Sequence, residues 1–209
     1  MLLQLEGVTI SVHGRVLIAN LSARIEPGQV LAVMGPSGTG KSSLLAWIAG
    51  TLELPFEARG TLRLDGANVT HLPVQQRRIG LLFQDDLLFP HMTVGDNLLF
   101  ALPSGERSTR VRAAEQALAE AGLGGFGSRL PASLSGGQRS RVSLLRALLA
   151  APAALLLDEP FAKLDSALRE QMREFTFTTL AARRVPAVLV THDAADVPAG
   201  AEVIHLDHA

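Results

Sequence analysis

Eight residues near the start of the chain constrain its fold more than any other stretch. Residues 35–42 read Gly-Pro-Ser-Gly-Thr-Gly-Lys-Ser, which matches the pattern G-x-x-x-x-G-K-[ST] of a phosphate-binding loop. The apolar run Val30–Met34 precedes the pattern with the length of a strand, and residues 43–50 follow it with helical periodicity and a closing glycine. The pattern therefore lies between a predicted strand and a predicted helix, as a phosphate-binding loop requires.

The residue types in this loop fit the binding of nucleotide phosphates. Glycines let several backbone N–H groups turn toward one point at the positive end of the following helix, which favours an anion. Lys41 supplies a compact charge for the β- and γ-phosphates, and the Ser42 hydroxyl can bind Mg²⁺. The alternative is a glycine-rich turn without a ligand. The candidate nucleotide-binding residues are Gly35, Pro36, Ser37, Gly38, Thr39, Gly40, Lys41, Ser42 and Ser43.

Composition narrows the remaining function classes. The net charge of −1 gives no basic excess for a nucleic-acid partner, and the absence of cysteine excludes disulfides, iron–sulfur clusters and thiol catalysis. The first residues lack the pattern of a signal peptide. The longest apolar run, residues 147–157, is too short to span a bilayer. We expect a single domain over residues 1–209 that is soluble by itself.

Polar residues follow three predicted buried strands. Gln84 ends the run 77–84, Asp158 and Glu159 follow the run 153–157, and His192 follows the run 188–191. Ligands of parallel sheets bind at the carboxyl ends of strands, so these side chains are candidates for a common site. Because adjacent strand residues point to opposite faces, Asp158 can hold Mg²⁺ through water while Glu159 polarises the attacking water. The alternatives are a solvated strand end and a histidine without a function.

A second glycine-containing turn precedes another predicted helix. Leu134-Ser135-Gly136-Gly137-Gln138 leads into an amphipathic run at residues 139–150, so Ser135 lies at a helix N-terminus that can receive an anion. The alternative is a simple helix cap. An earlier helix is predicted over residues 104–121, with Ser108 as a possible cap. The segment Leu87–Val94, which precedes this helix, is apolar but broken by proline, which predicts either a small core under a loop or a docking groove for a partner.

Together these residues resemble the ATP-binding subunit of an ABC transporter. The sequence of residues 84–94 is similar to that of bacterial importer ATPases. The loop at 35–42 matches Walker A, Gln84 the Q-loop, and Leu155–Glu159 Walker B with its catalytic glutamate. The sequence Leu134, Ser135, Gly136, Gly137, Gln138 is identical to the family signature, which separates this family from other P-loop ATPases. Leu164-Asp165 matches the D-loop, with Asp165 as its acidic residue, and His192 matches the switch histidine.

The resemblance implies a mechanism and partners. Two subunits would form a homodimer that sandwiches ATP between the phosphate loop of one and the signature of the other. Catalysis would use Glu159, His192 and Lys41, and Mg²⁺ would be held near Ser42, Gln84 and Asp158. A membrane permease would dock around residues 84–94, a solute-binding protein would be a further component, and no nucleic acid would take part. The subunit would be cytoplasmic, on the inner face of the membrane.

Three features depart from the family pattern. His13 occupies the position where an aromatic residue stacks on adenine, so we expect weaker stacking and looser selection of the base. Lys163 stands in the D-loop where small residues are common, and is one of only two lysines, with Lys41. The chain ends at His208-Ala209, so we expect no regulatory domain after it.

The expected fold class is α/β. It comprises a P-loop NTPase with a RecA-like core at residues 1–87 and 151–209, an N-terminal antiparallel β-subdomain, and an inserted α-helical signature subdomain at residues 88–150. The expected function is ATP hydrolysis that powers transport through a permease. Two other interpretations are an ABC ATPase in a membrane-associated signalling complex and a soluble ABC ATPase of DNA repair or translation. A nucleotide-binding module without turnover is disfavoured because Asp158, Glu159 and His192 are all present.

Overall fold

The computed structural model describes residues 1–207, and His208 and Ala209 lie outside the described residues. The strands are β1 Leu3–Val12, β2 Arg15–Ile25, β3 Val30–Met34, β4 Phe56–Leu64, β5 Ala67–Asn68, β6 Ile79–Leu82, β7 Ala154–Asp158, β8 Ala187–Thr191 and β9 Glu202–His205. The helices are α1 Lys41–Ala49, α2 Val74–Arg77, α3 Val94–Ala101, α4 Arg107–Glu120, α5 Gly136–Leu149 and α6 Ser166–Arg183. Short 3-10 helices cover Pro131–Ser133 and Ala194–Asp196. Within the described part of the chain, no helix is long and apolar enough to cross a membrane.

The first sheet is antiparallel and has the strand order β2-β1-β4-β5. In the long strand β1, the buried side chains change from odd-numbered to even-numbered positions at Gly7. Leu3 and Leu5 are buried before it, and Val8 and Ile10 are buried after it. The register with both neighbouring strands shifts at the same point, and Gly7 has a φ of 61°. This bulge keeps all four apolar side chains on the core side of one continuous strand. The predicted antiparallel β-layer is confirmed.

The second sheet has the order β6-β7-β8-β3-β9, and β3 lies between two parallel neighbours. Strands β7 and β8 are also parallel, with Asp158 opposite Val190, while Met34 of β3 lies opposite Thr191. The central strands are almost entirely buried and consist of apolar runs, as expected for a sheet covered on both faces. Their carboxyl ends therefore meet at one edge. The predicted α/β class is confirmed by these two sheets and their helices.

The described residues form two compact units. The first comprises Met1–Leu81, Ala153–Glu159 and the chain from Phe177 onward, and the second comprises Leu82–Pro152 and Pro160–Thr176. Each unit has its own apolar core. The first core joins side chains of both sheets with those of α1, and the second joins side chains of α3, α4 and α5. The domain boundaries inferred from the sequence stay a prediction.

One helix was missed in the sequence, and two local predictions are wrong. Helix α3 was missed, although Thr93 caps it through a hydrogen bond from Asp96 N at 3.1 Å. Ser108 is not the cap of α4, because the Glu106 carboxylate accepts from the N–H groups of Ser108 and Thr109. An acidic side chain fits that position because it also complements the helix dipole. Strand β6 is shorter than predicted, since Arg77 ends helix α2 instead of starting a strand.

Arg77 is buried and holds the end of helix α1. Its Nη1 donates to Trp47 O at 2.7 Å and to Ile48 O at 3.0 Å, which are among the last carbonyls of that helix. Its Nη2 and Nε donate to Thr70 O at 2.5 Å and to Leu72 O at 2.9 Å. Burial lowers the pKa of this guanidinium from its ordinary value. One planar fork thus satisfies four carbonyls from two segments of the first unit.

We expect Arg77→Met to reduce the free energy of unfolding by about 2–4 kcal/mol, because it removes the guanidinium that donates to all four carbonyls and, among the described residues, leaves only Trp47 O with the N–H of Gly50 as a further donor. Arg77→Lys should recover only part of the loss, since an ammonium cannot reach four carbonyls in the fork geometry. Urea unfolding followed by Trp47 fluorescence measures both values. The control is Arg59→Met, which removes an exposed arginine from β4. An Arg77→Met protein as stable as this control would contradict the role.

Candidate functional site

The loop at residues 35–42 leads from β3 directly into α1, and its conformation depends on glycine at three positions. Gly38 and Gly40 have φ values of 85° and 95°, a region that other residues adopt only with strain. Gly35 is needed because of a close approach, since a Cβ atom there would lie 2.3 Å from the carbonyl oxygen of Leu206. The same residue, Leu206, donates its N–H to Met34 O at 2.7 Å. The segment after β9 therefore fixes the start of the loop.

Lys41 and Thr39 are held inside the loop. Lys41 is only 6% exposed, and its Nζ donates to Gly35 O at 2.8 Å and to Pro36 O at 2.7 Å. The Thr39 hydroxyl also donates to Pro36 O, at 3.0 Å. Because the ammonium is held by carbonyls of its own loop, its charge stays at the centre of the turn. This is the position from which it can neutralise a phosphate.

Ser42 and Asp158 bring two oxygen ligands together beside Lys41. The Ser42 side chain hydrogen-bonds the Asp158 carboxylate at the end of β7. Burial, followed by the neighbouring charge of Glu159, raises the pKa of Asp158, while Lys41 and the bond from Ser42 act in the opposite direction. The carboxylate therefore lies where additional positive charge would stabilise it. A hydroxyl and a carboxylate side by side are also oxygen ligands of the kind that Mg²⁺ prefers.

Glu159 and His192 form a second pair at the same sheet edge. His192 Nδ1 lies 3.2 Å from Glu159 Oε1, and the Glu159 side chain is about one-quarter exposed. The backbone of Glu159 adopts the left-handed conformation with a φ of 44°, which is strained for a residue with a side chain. Its N–H donates to Val190 O at 3.0 Å, so β8 holds the strained residue in place. Glu159 therefore does not continue the alternation of side chains along β7.

Thr191 supports this pair and was missed in the sequence. Its buried hydroxyl donates to Asp196 Oδ2 at 3.1 Å and accepts from Asp193 N at 3.1 Å. These bonds fix the backbone on both sides of His192. The signal in the sequence was the pattern Thr-x-Asp at residues 191–193, since a threonine hydroxyl commonly accepts from the N–H two residues later.

The structure thus brings together Lys41, Ser42, Asp158, Glu159 and His192 in the first unit. Gln84 and the signature residues belong to the second unit. There Ser135 Oγ accepts from Gln138 N at 3.3 Å, and Gln138 Oε1 accepts from Ser135 N at 3.0 Å. This capping box makes the turn at 134–138 the N-terminus of α5.

The other candidate residues lie at turns and helix starts. His13 is exposed in the turn between β1 and β2 with a φ of 48°, and its role toward adenine stays a prediction. Ser43 lies in the first turn of α1. In the second unit, Asp165 precedes α6, and its Oδ1 accepts from Leu168 N at 3.0 Å. Gly137 lies close to that same helix, since a Cβ atom there would lie 2.2 Å from Leu168 Cδ1.

The strand–loop–helix unit, its buried lysine and the two carboxylates at the end of a nearby parallel strand define a P-loop nucleoside triphosphatase. A family model described as ABC transporter matches residues 18–162, and the chain belongs to this family. The resemblance inferred from the sequence is therefore confirmed. The chain is an ATP-binding protein and an ATPase, the ATP-hydrolysing subunit of an ABC transporter.

Three relatives illustrate the similarity. An uncharacterized ABC transporter ATP-binding protein of Escherichia coli, YnjD, is 46% identical over 206 residues, which cover 98% of this chain and 95% of YnjD. The Fe(3+) ions import ATP-binding protein FbpC of Rhizobium etli is 45% identical over 84% of this chain and 50% of its own length. The sulfate/thiosulfate import ATP-binding protein CysA of Gloeobacter violaceus is 44% identical over 84% of this chain and 51% of its own length. The chain thus matches about half the length of the two import proteins.

We expect Gly35→Ala to weaken ATP binding by at least tenfold, on the order of 1.4 kcal/mol, because its Cβ would collide with the Leu206 carbonyl and displace the loop. Equilibrium titration with a fluorescent ATP analogue measures the dissociation constant. The matched control is Gly66→Ala in the turn between β4 and β5, where φ is also positive and a Cβ meets no atom within 4 Å. An ATP affinity equal to that of the control would show that the close approach does not shape the site.

Proposed function

We propose that this subunit powers the import of a solute through a separate integral membrane permease, and that it works on the inner face of the membrane. The observation that carries the proposal is the cluster of Lys41, Ser42, Asp158, Glu159 and His192 at one sheet edge, in a chain of the ABC transporter family. The names of the relatives FbpC and CysA support import as the direction. A solute-binding protein would belong to the same system.

The residues present fit a magnesium ion bound with ATP. Ser42 Oγ and the Asp158 carboxylate are in contact, and the raised pKa of Asp158 reflects a buried negative charge that a cation would stabilise. Within the first unit, Ser42 would bind the ion directly and Asp158 through water. The chemistry that a bound Mg²⁺ would supply there is positive charge to stabilise the phosphates.

Each of the clustered side chains has its own task in hydrolysis. Lys41 stabilises the negative charge of the β- and γ-phosphates from within the loop. Glu159 accepts a proton from the water that attacks the γ-phosphate, and His192 orients that carboxylate through the 3.2 Å contact between Nδ1 and Oε1. The strained backbone of Glu159 keeps its carboxylate in this geometry, whereas a regular strand would direct it to the opposite face from Asp158.

The signature turn at residues 134–138 would act on the ATP of a second subunit. The turn offers the first N–H groups of α5 to an anion, yet Gly136 and Gly137 bring no lysine to it. A complete site would therefore need the lysine-bearing loop of another copy. In this arrangement ATP closes a homodimer, and hydrolysis opens it. Asp165, at the start of α6, would take part in the contact between the subunits.

The permease would dock on the segment from Gln84 to Val94. Leu87 is 56% exposed there, and Phe83, which directly precedes Gln84, is 46% exposed. Phe89 packs edge-on against Phe100, with ring centroids 4.9 Å apart, and Phe100 is itself 66% exposed. Exposed aromatic and aliphatic side chains of this size are typical of a surface that another protein covers.

The membrane-associated signalling complex is the second candidate, because it would use the same ATPase and a membrane partner without a solute path. It is not favoured, since the named relatives with a stated task are import proteins.

His13 adds one property to the proposed site. With the small imidazole ring of His13 in place of a larger aromatic ring, the subunit would bind adenine more weakly and accept other bases more readily.

We expect Glu159→Gln to retain ATP binding and to lose roughly 10²–10⁴-fold in turnover, because an amide cannot accept the proton of the attacking water. Lys41→Ala should instead lose ATP affinity, because the charge facing the phosphates is removed. Phosphate release and equilibrium nucleotide binding separate the two effects. Turnover of Glu159→Gln at the parent rate would remove Glu159 as the base. Unchanged ATP affinity in Lys41→Ala would exclude the role of Lys41.

We expect tagged Glu159→Gln protein with Mg-ATP to capture a multi-span permease from solubilised native membranes, identified by mass spectrometry. Leu87→Asp in the same background should lose the permease while it retains ATP, because a carboxylate would then enter the apolar contact. The matched control is Val203→Asp, which changes an exposed apolar residue on β9. Recovery of soluble proteins alone would contradict the proposed transport function.

A further inference from the structure

Asp86 joins the segment after Gln84 to the helix that carries the signature turn. Its Oδ1 accepts from Ser140 Oγ at 2.8 Å, and its Oδ2 lies 3.5 Å from Arg139 Nε. Its backbone carbonyl accepts from Ser143 Oγ at 2.7 Å. All three partners lie on α5 within the second unit. A single residue two positions beyond Gln84 thus contacts one face of α5 through three of its oxygen atoms.

The two side chains that contact the carboxylate also contact the signature turn itself. Arg139 Nη1 donates to Leu134 O at 2.8 Å, and Ser140 Oγ also lies 3.2 Å from Gly136 O. Leu134 and Gly136 belong to the turn at residues 134–138. Each oxygen of the Asp86 carboxylate is therefore connected to the backbone of this turn through a single side chain, which is Ser140 for one oxygen and Arg139 for the other. Because the Arg139 and Asp86 side chains are partly shielded from water, the charge between them is screened less than at an open surface.

Two further side chains stabilise the segment around Asp86. Asn97, which is fully buried in α3, accepts from Phe89 N at 2.9 Å and donates to Phe89 O at 3.1 Å. Arg146 of α5 donates to Asn97 Oδ1 at 3.3 Å and lies over the Phe89 ring. The backbone at Phe89, three residues after Asp86, is therefore held by helices α3 and α5. Asp86 has a defined position from which it can restrain Arg139 and Ser140.

The adjacent carboxylate has a different environment. Asp85 pairs with Lys163, the unusual lysine of the D-loop, and both side chains are more than half exposed. An exposed pair of this kind contributes little to stability. The side chains of Asp85 and Asp86 thus contact two different segments of the second unit, the D-loop and helix α5. Only Asp86 makes contacts that lead to the signature turn.

We propose that Asp86 is a positioning residue for the signature turn: through Arg139 and Ser140 it sets the orientation in which this turn meets the ATP of a second subunit. The inference rests on the proposed role of residues 134–138 in the ATP-bound homodimer. A carboxylate suits this role because one oxygen can accept from Ser140 while the other pairs with Arg139. The consequence is a direct mechanical connection between the Gln84 segment and the surface that closes on ATP.

The experiment measures the dissociation constant of the ATP-bound dimer by sedimentation in the Glu159→Gln background. We expect Asp86→Ala to raise this constant roughly tenfold, which corresponds to the loss of a charge-assisted hydrogen bond. The affinity of the monomer for a fluorescent ATP analogue should change by less than about twofold, because the phosphate loop is untouched. A matched control is Glu115→Gln, which removes an exposed carboxylate from α4 in the same unit. A dimer constant in Asp86→Ala equal to that of the control would overturn the inference.

Two additional readouts separate positioning from a general loss of structure. In the catalytically intact background, Asp86→Ala should lower turnover at low protein concentration, and higher protein concentration should restore it. The exchanged pair Asp86→Arg with Arg139→Asp should recover part of the dimer affinity that each single change loses. Turnover that falls equally at all protein concentrations would overturn the inference. If the Asp86 variants do not fold, Ser140→Ala tests the same connection, and a dimer constant equal to that of the control would overturn it.

Ser135→Arg in the same assay distinguishes this inference from the function on which it rests. A large side chain in the signature turn should abolish ATP-dependent dimerisation if the turn meets the partner's nucleotide. If Ser135→Arg abolishes the dimer and Asp86→Ala does not weaken it, only the role of Asp86 fails. If the dimer persists in Ser135→Arg, the proposed function of the signature turn fails, and the inference fails with it.

Discussion

The candidate site at the carboxyl ends of the parallel strands depends on one constraint. This is the parallel pairing of β3 with β8 on one side and with β9 on the other. This pairing fixes the end of β3 at Met34, so that the phosphate loop begins opposite Thr191 and beside His192. It also carries the chain after β9 close enough for the Leu206 carbonyl to exclude any side chain at residue 35. The loop is therefore shaped by strands from distant parts of the sequence as much as by its own glycines.

The same edge concentrates negative charge, and its local structure separates the two carboxylates that carry it. Asp158 ends β7 facing Ser42 and is influenced by Lys41, whereas the turn at Glu159 directs the next carboxylate toward His192. Each carboxylate thus has a different neighbour even though the residues are adjacent in sequence. The raised pKa of Asp158 shows that burial and the Glu159 charge outweigh the stabilisation from Lys41 and Ser42. A bound cation would act against this balance, which is the electrostatic reason for the proposed contact between Asp158 and magnesium.

The elements around the candidate site could be predicted from the sequence because the motifs that mark them are local. Residues 30–34 form the predicted strand β3, and the loop lies between this strand and α1. Features that depend on contacts distant in sequence were not predictable in this way. Arg77 was assigned to a strand because its four carbonyl partners are contributed by other segments, and helix α3 was missed because proline and glycine surround its start. The close approach at Gly35 likewise requires the folded chain, whereas the bond of the Thr191 hydroxyl to Asp193 N is local and has a sequence pattern that could have been recognised.

The contacts of the second unit show why its connection to the signature turn is polar. An apolar contact between the segment at residues 85–89 and α5 would be insensitive to small displacements, since dispersion and burial have little directional preference. The hydrogen bonds of Asp86 require defined positions of Ser140 and Ser143, and weaken steeply when donor and acceptor move apart. The buried Asn97 and the Phe89 ring beneath Arg146 provide the rigid support against which such a displacement can be transmitted. The proposed task of this segment, to convey the state of a bound nucleotide to a partner protein, would require this combination of rigid support and directional contacts.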